Sequence, residues 1–530
     1  MTTELHPHAQ TLADFFQRRL QLSGEALLHL FSDLLQAQED GHVCLTLSEK
    51  RRHLVAKLHG LHQPKGAAPL VLEQDRLYFQ RLWQYEEKLA QGIRRLMAAV
   101  PLPLDQDKLA RLARASGLDA SQREAVAGAA SQRFAVLTGG PGTGKTTTVL
   151  QLIALRLWQQ PGLKVALAAP TGKAAQRLTE TIRARVDVLP LPDELKASVP
   201  RQVTTLHRLL RARPDTAVPA YHAGHPLPYD LVVVDEASMV DLALMSKLVQ
   251  ALPPQGSLVL LGDRDQLASV EAGSVLADLC DGAPAHTWRL RQAHRFEKRL
   301  AGLAEAIQGG NFERVRGLLG HDWLPVKQDA LWQAIEDGYQ AYWQAVAEAR
   351  EPMAVHHAFA RFQVLCAHRR GPLGSDCLNQ VLEQQWRRQR RIHGGAYYPG
   401  RPVLIRENAP DLDLFNGDIG ICLADDEGRL NVYFDDGRAL PPARLPNHET
   451  VFAMTVHKSQ GSEFDRILLV LPPQPSEVLS QELVYTALTR ARLQVQCWGS
   501  EAVLRQAVAR KVRRRGGLRL KLQESGASGD

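Results

Sequence analysis

The run Gly139-Gly140-Pro141-Gly142-Thr143-Gly144-Lys145-Thr146-Thr147 lies between an apolar stretch and a helical pattern. Glycines in such a loop let backbone N–H groups wrap phosphate oxygens, and the helix N-terminus that follows adds a favourable dipole. A lysine at this place reaches the β- and γ-phosphates, and the next hydroxyl, Thr146, ligates Mg²⁺. Downstream, Val232-Val-Val-Asp235-Glu236 ends a second apolar stretch with two acids. Asp235 is suited to hold Mg²⁺, and Glu236 to orient and deprotonate an attacking water. Gln266, in Leu261-Gly-Asp263-Arg-Asp-Gln266, follows a further apolar run and suits contact with the γ-phosphate and that water. The chemistry implied is hydrolysis of a nucleoside triphosphate. Gln122, in Leu118-Asp-Ala-Ser-Gln122-Arg123, has two readings, a partner for the adenine edge or a helix cap.

These residues need strands that end at one edge of a sheet. Continuous apolar runs at 134–137, 164–169, 231–234 and 257–261 suit strands buried on both faces. A second set at 362–367, 466–471 and 493–498 implies another such sheet, with a helical stretch around 298–350 between them. Within the second set, 403–405, 420–423 and 430–434 are short strand patterns, with turns at Asn416-Gly417 and Asp435-Asp436-Gly437. They predict a small β barrel. The first hundred residues read as helical, and in 71–89 Leu72, Tyr78, Phe79, Leu82, Trp83 and Tyr85 are interleaved with polar residues. That face suits a core or a partner. Residues 101–107 read as a linker and the final fifteen as disordered, after a basic cluster at 511–515 that fits a solvated tail.

With 530 residues, 45% hydrophobic and 23% charged, the chain has the composition of a multidomain globular protein. A net charge of +7 suits a polyanionic partner without requiring one. The six cysteines are scattered without a CxxC pair, which fits reduced thiols. No stretch reaches the ~20 apolar residues that span a bilayer. The expectation is a cytoplasmic protein without membrane contact.

Further segments point to a family. Ala168-Ala-Pro170-Thr171-Gly172-Lys173 is similar to motif Ia of superfamily 1 helicases, and Thr204-Thr-Leu-His207-Arg208 to motif Ib. Thr455-Val-His457-Lys458-Ser-Gln460-Gly461-Ser-Glu463 is similar to motif V, and Val484-Tyr485-Thr-Ala-Leu-Thr-Arg490 to motif VI. Together with 235–241, 261–273 and 415–420, these resemble the RecD family, alpha subunits of bacterial exonuclease V (RecBCD). The resemblance covers roughly residues 70–510. It implies an α/β fold of two RecA-like parallel-sheet motor domains, a helical N-terminal domain and a small SH3-like β-barrel insertion. The implied division is 1–105 for partner binding and 106–300 for the first motor domain, with a duplex-splitting hairpin at 211–228 for which a surface loop is the alternative. Then come 301–399 for the connection and start of the second motor domain, 400–447 for the barrel, 448–515 for the remainder and 516–530 for the tail.

The resemblance also implies ATP and Mg²⁺ bound between the sheets, with Arg490 as an arginine finger and Arg295, in Gln292-Ala-His294-Arg295, as a second cation. It places Gln460 and Gly461 at the nucleotide, and Pro170, Thr171, Lys173, His207, His457 and Lys458 at DNA. For Thr171, His207, His457 and Lys458, local hydrogen bonding is the alternative. The family usually carries Tyr where this chain has His294, and 276–291 is short for it. The implied activity is ATP-driven 5′-to-3′ translocation on single-stranded DNA and unwinding of duplex ends in recombinational repair, beside RecB-like and RecC-like subunits. About 130 residues before Gly139 favour such a subunit over a free-standing RecD-like helicase. An ATPase-dead DNA-binding scaffold would not need Lys145, Asp235, Glu236, Gln266 and Arg490 together. Nuclease activity is expected in a partner.

Overall fold

The computed structural model describes residues 6–20, 25–56, 68–213, 215–291, 298–391 and 395–523. The apolar runs form two all-parallel sheets. In the first, strands are ordered Thr204–Thr205, Val165–Ala169, Leu231–Val234, Ser257–Gly262, Phe134–Gly139, Thr287–Leu290. In the second the order is Trp323–Leu324, Ala491–Trp498, Phe464–Val470, Phe362–Cys366, Ala453–Thr455. Central strands are buried along their whole length, which is why their sequences are continuously apolar rather than alternating. Helices Lys298–Gln308, Phe312–Leu319, Gln328–Ala347 and Pro352–Phe359 fill the stretch between the sheets.

The insertion is a five-stranded antiparallel sheet ordered Ala439–Leu440, Leu430–Phe434, Ile419–Ala424, Arg401–Ile405, His448–Thr450. It extends three residues past the expected 447. Its alternating residues serve two cores. Val403, Ile405, Cys422, Val432 and Phe434 enclose a core of their own, while Leu404, Ile421 and Leu423 pack on the second motor domain.

Three expectations need correction. Residues 70–79 are not helical: Leu70–Glu73 and Arg76–Phe79 pair as an antiparallel hairpin, turned at Gln74 (φ 56°), and helix begins only at Gln80–Met97. Leu45–Thr46 adds a third strand. Short apolar runs of this length carry no period that separates strand from helix. The final segment is not wholly disordered, since Leu518–Gln523 is a helix with Leu518 and Leu522 buried. It packs on Gln80–Met97 and Val275–Gly282, and residues beyond 523 lie outside the described ones. Nor is the basic cluster simply solvated, because Arg514 donates to the carbonyls of Glu271 and Gly273 at 2.7 and 2.9 Å. In the 211–228 stretch, the described residues hold one short antiparallel bridge, His222 to His225. Among the described residues no helix is long and apolar enough to cross a membrane.

Candidate active site

Three strands of the first sheet end at one cleft of ≈ 320 Å³. From Phe134–Gly139 the chain enters the glycine loop, whose Gly142 (φ 74°) and Gly144 (φ 80°) hold left-handed conformations before the helix Lys145–Gln159. Gly139 has no room for a side chain, since a Cβ there would lie 2.7 Å from Thr143 Oγ1 and 2.9 Å from the Leu290 carbonyl oxygen. Thr143 braces the turn by donating to the Gly140 carbonyl at 2.8 Å. The Lys145 ammonium donates to the carbonyls of Gly139 and Gly140 at 2.7 and 3.0 Å, curled over the loop. Pro141, Gly142, Gly144, Thr146 and Thr147 line the cleft beside it.

Asp235 and Glu236 follow Leu231–Val234. The Glu236 N–H donates to Asp235 Oδ1 at 2.9 Å, and Glu236 itself holds φ 51° and ψ 40°. Withdrawal from water raises the Asp235 pKa and the adjacent Glu236 raises it further. The Glu236 N–H, Lys145 and Arg177 counteract, leaving it at about 6. Gln266 also faces the cleft, after Ser257–Gly262. Gln122 lines it too, but its amide is largely committed. Its Oε1 accepts the Asp119 N–H at 3.2 Å, closing a capping box, and its Nε2 donates to the Thr143 carbonyl at 3.3 Å. The capping alternative is the one the geometry displays.

The far wall comes from the second motor domain, through Gly461, Glu463 and Arg490. Arg490 is 3% exposed, held by its Nε to the Thr486 carbonyl (3.2 Å) and by one terminal nitrogen to the Ser462 carbonyl (3.3 Å). Burial lowers its pKa while Glu236 and Glu463 act to raise it, so the guanidinium is steered by carboxylates of both domains. Gln460 bonds the Leu267 carbonyl at 2.9 Å, joining the domains beside the cleft. Arg295 lies outside the described residues.

A family model described as an AAA domain matches residues 117–329, and one described as a UvrD-like helicase C-terminal domain matches residues 450–496. The RecBCD enzyme subunit RecD of Mycolicibacterium smegmatis is 41% identical over 481 residues, 87% of this chain and 85% of that protein. The chain belongs to the RecD family. The ATP-dependent RecD2 DNA helicase of Deinococcus radiodurans is 36% identical to this RecD-family chain over 451 residues, 83% of the chain and 57% of that protein. The crystal structure of Bacteroides Pif1 bound to ssDNA covers 72% of the chain and 92% of its own at 18% identity, with a TM-score of 0.40.

Residues of this RecD-family chain proposed at DNA are partly engaged elsewhere. Thr171 caps the helix Gly172–Val186, accepting the Ala174 N–H at 3.2 Å. Pro170 beside it is half-buried. Burial lowers the pKa of Lys173, with Asp435 and Asp418 of the insertion acting to raise it. Lys458 pairs with Glu449, which also faces Arg406 at 3.4 Å and Arg369 at 3.8 Å. His207 is exposed and His457 half-buried. Sequence reasoning missed five groups in or beside the cleft. Arg177 pairs with Glu463 across the domains at 2.5 Å, Arg185 donates to the Thr147 hydroxyl, and Asp263 bonds Tyr485. The available signal was spacing: Arg177 and Arg185 stand about two and four turns into the helix that follows the second strand, on the face of Thr181, which also lines the cleft.

Proposed function

We propose that this ATP-dependent DNA helicase moves 5′ to 3′ along single-stranded DNA as the helicase subunit of an exonuclease V heterotrimer. In this reading it works beside RecB-like and RecC-like subunits and opens duplex ends for repair and degradation, with cutting done by a partner. The observation that carries the motor is Arg490 of the second domain lining the same cleft as Lys145, Asp235 and Glu236 of the first. Similarity across 85% of a RecBCD subunit supports the assembly. The alternative, a free-standing RecD-like helicase, has the weaker support, since the chain spans only 57% of the ATP-dependent RecD2 DNA helicase.

ATP would lie with its phosphates on the glycine loop, the Lys145 ammonium turning from its own carbonyls to the phosphate oxygens. The Glu236 carboxylate would accept a proton from the attacking water. Gln266 would orient that water, and Arg490 would stabilise charge on the transferred phosphoryl, a contribution of ~10³–10⁵ in rate in related enzymes. An adenine contact from Gln122 would require it to release one of its present bonds. The donor set fits Mg²⁺: a hydroxyl and a carboxylate are hard oxygen ligands, and the paired acids 235 and 236 leave negative charge to balance. Asp235 and Thr146 would hold the ion, which when bound supplies charge neutralisation at the β- and γ-phosphates. Pro170, Thr171, Lys173, His207, His457 and Lys458 remain the proposed DNA contacts, Lys173 and Lys458 exchanging their acidic neighbours for phosphate. We read the five-stranded insertion as the SH3-like barrel and the N-terminal region as the partner-docking domain.

Lys145→Gln is expected to abolish single-strand-stimulated ATPase and unwinding while preserving DNA binding in a gel-shift assay. Substrates with 5′ or 3′ tails test polarity. Unwinding by the variant would refute the engine, and preference for 3′ tails would refute the direction.

A further inference from the structure

The contact between the motor domains reaches into the cleft through one buried acid. Asp263, 2% exposed, stands just past the strand Ser257–Gly262. Its Oδ1 accepts the Asp265 N–H at 3.0 Å. Its Oδ2 accepts two donors, the Tyr485 hydroxyl from the second domain at 2.8 Å and Gln266 Nε2 at 3.3 Å. All three partners are donors, and a carboxylate has the lone pairs to accept them all. This fixes the sense of the Gln266 amide, because only its NH₂ end can donate to Asp263. Gln266 is 6% exposed and lines the cleft, and its Oε1 is a buried acceptor with no hydrogen-bond donor among the described residues. A buried acceptor of this kind is costly unless something donates to it. The next residue is pinned from the same side: Leu267 N–H donates to Thr486 Oγ1 at 2.8 Å, and its carbonyl accepts from Gln460.

We propose that Tyr485 and Asp263 are positioning residues for hydrolysis: the Tyr485 hydroxyl holds the Asp263 carboxylate, which turns the Gln266 amide so that Oε1 accepts a hydrogen bond from the attacking water. The idea rests on the reading of Gln266 given above. It makes the orientation of a group in the first domain depend on the second domain being in place, so the water is aligned only when the two are seated together.

The test is steady-state, single-strand-stimulated ATPase of the full chain carrying Tyr485→Phe, Gln266→Ala or both. Tyr485→Phe keeps the buried ring and removes only the hydroxyl. Either single change should lower kcat roughly ten- to a hundredfold, as expected for small misplacement of a reacting group. KM for ATP should stay within about twofold, because the lost interaction is made in the transition state. The double variant should be no slower than Gln266→Ala, since the tyrosine acts through the glutamine. Should Tyr485→Phe fail to fold, Asp263→Asn takes its place, with the same expected kcat loss and the same lack of further effect on Gln266→Ala. Multiplying losses in the double variant, or a change in KM alone, would overturn the positioning role while leaving Gln266 in its own. Wild-type turnover by Gln266→Ala would overturn the reading of Gln266 and this inference with it.

Discussion

Glu236 sits at φ 51°, in a region that costs a non-glycine residue about 1 kcal/mol or more. It also stands beside the Asp235 carboxyl, whose pKa it helps to raise. Neither feature favours stability, and both aim a carboxylate into the cleft. Function and stability should therefore separate here. Glu236→Gly is expected to raise stability by about 1 kcal/mol through relief of backbone strain and charge repulsion, while turnover disappears. Glu236→Gln keeps shape and strain but removes the proton acceptor, so kcat should fall on the order of 10²–10⁴-fold, with nucleotide affinity nearly unchanged. Urea midpoints, ATPase and fluorescent-nucleotide binding distinguish the two. A stabilised Glu236→Gly that still hydrolyses ATP would remove Glu236 from the chemistry.

Between elements, one electrostatic tie joins the two motor domains, Arg177 with Glu463, which Arg492 also approaches at 3.1 Å. Burial alone would raise the Glu463 pKa, but the two guanidiniums outweigh it and take it down to about 2. A carboxyl lowered on folding adds stability above its unfolded pKa and loses it as pH falls through the folded value. The tie is thus complete at pH 7 and dissolves between the ordinary glutamate range and about 2. Glu463→Gln should cost about 1–3 kcal/mol at pH 7 after allowance for partial exposure, and much less near pH 3. Equal losses at both pH values would show that the side chain acts by packing alone. No reading of the sequence offered this pair, because partners 286 positions apart leave no local pattern. The strands ending at Gly139, Val234 and Gly262 were legible for the opposite reason, since burial on both faces writes itself into consecutive residues. The phosphate loop was legible because its glycines are demanded by backbone geometry, as at Gly139 and Gly144. The hairpin at 70–79 was not, for its strands of four residues each are too short to show a period. The helix Leu518–Gln523 was hidden too, being held by distant contacts more than by its own length.

Those distant contacts bind the whole molecule. After the second sheet the chain returns to the first motor domain and the N-terminal region, where Val43 N–H donates to the Arg515 carbonyl at 2.8 Å and Gly517 N–H to Glu86 at 2.9 Å. The helix then seats Lys521, 5% exposed, among Glu73, Glu86 and Glu87 at 3.2, 3.6 and 3.1 Å. Glu86 is 1% exposed, and burial raises its pKa while Lys521, the Gly517 N–H and the Tyr78 hydroxyl counteract. Removing the ammonium would leave that carboxylate without its cation, a defect that costs about 3–5 kcal/mol when a buried pair is broken. Lys521→Met keeps most of the volume over Trp83 and removes only the charge. Its destabilisation should depend on pH in a definite sense. A carboxyl whose pKa is raised on folding contributes no penalty below its unfolded value and a growing one as pH rises from there to its folded value. The loss in urea midpoint should therefore be larger at pH 8 than at pH 5, and Glu86→Gln combined with Lys521→Met should recover much of it. A pH-independent loss that the second change fails to relieve would mean that the end of the chain is held by the burial of Leu518 and Leu522 and by its hydrogen bonds, with the charge of Lys521 a bystander.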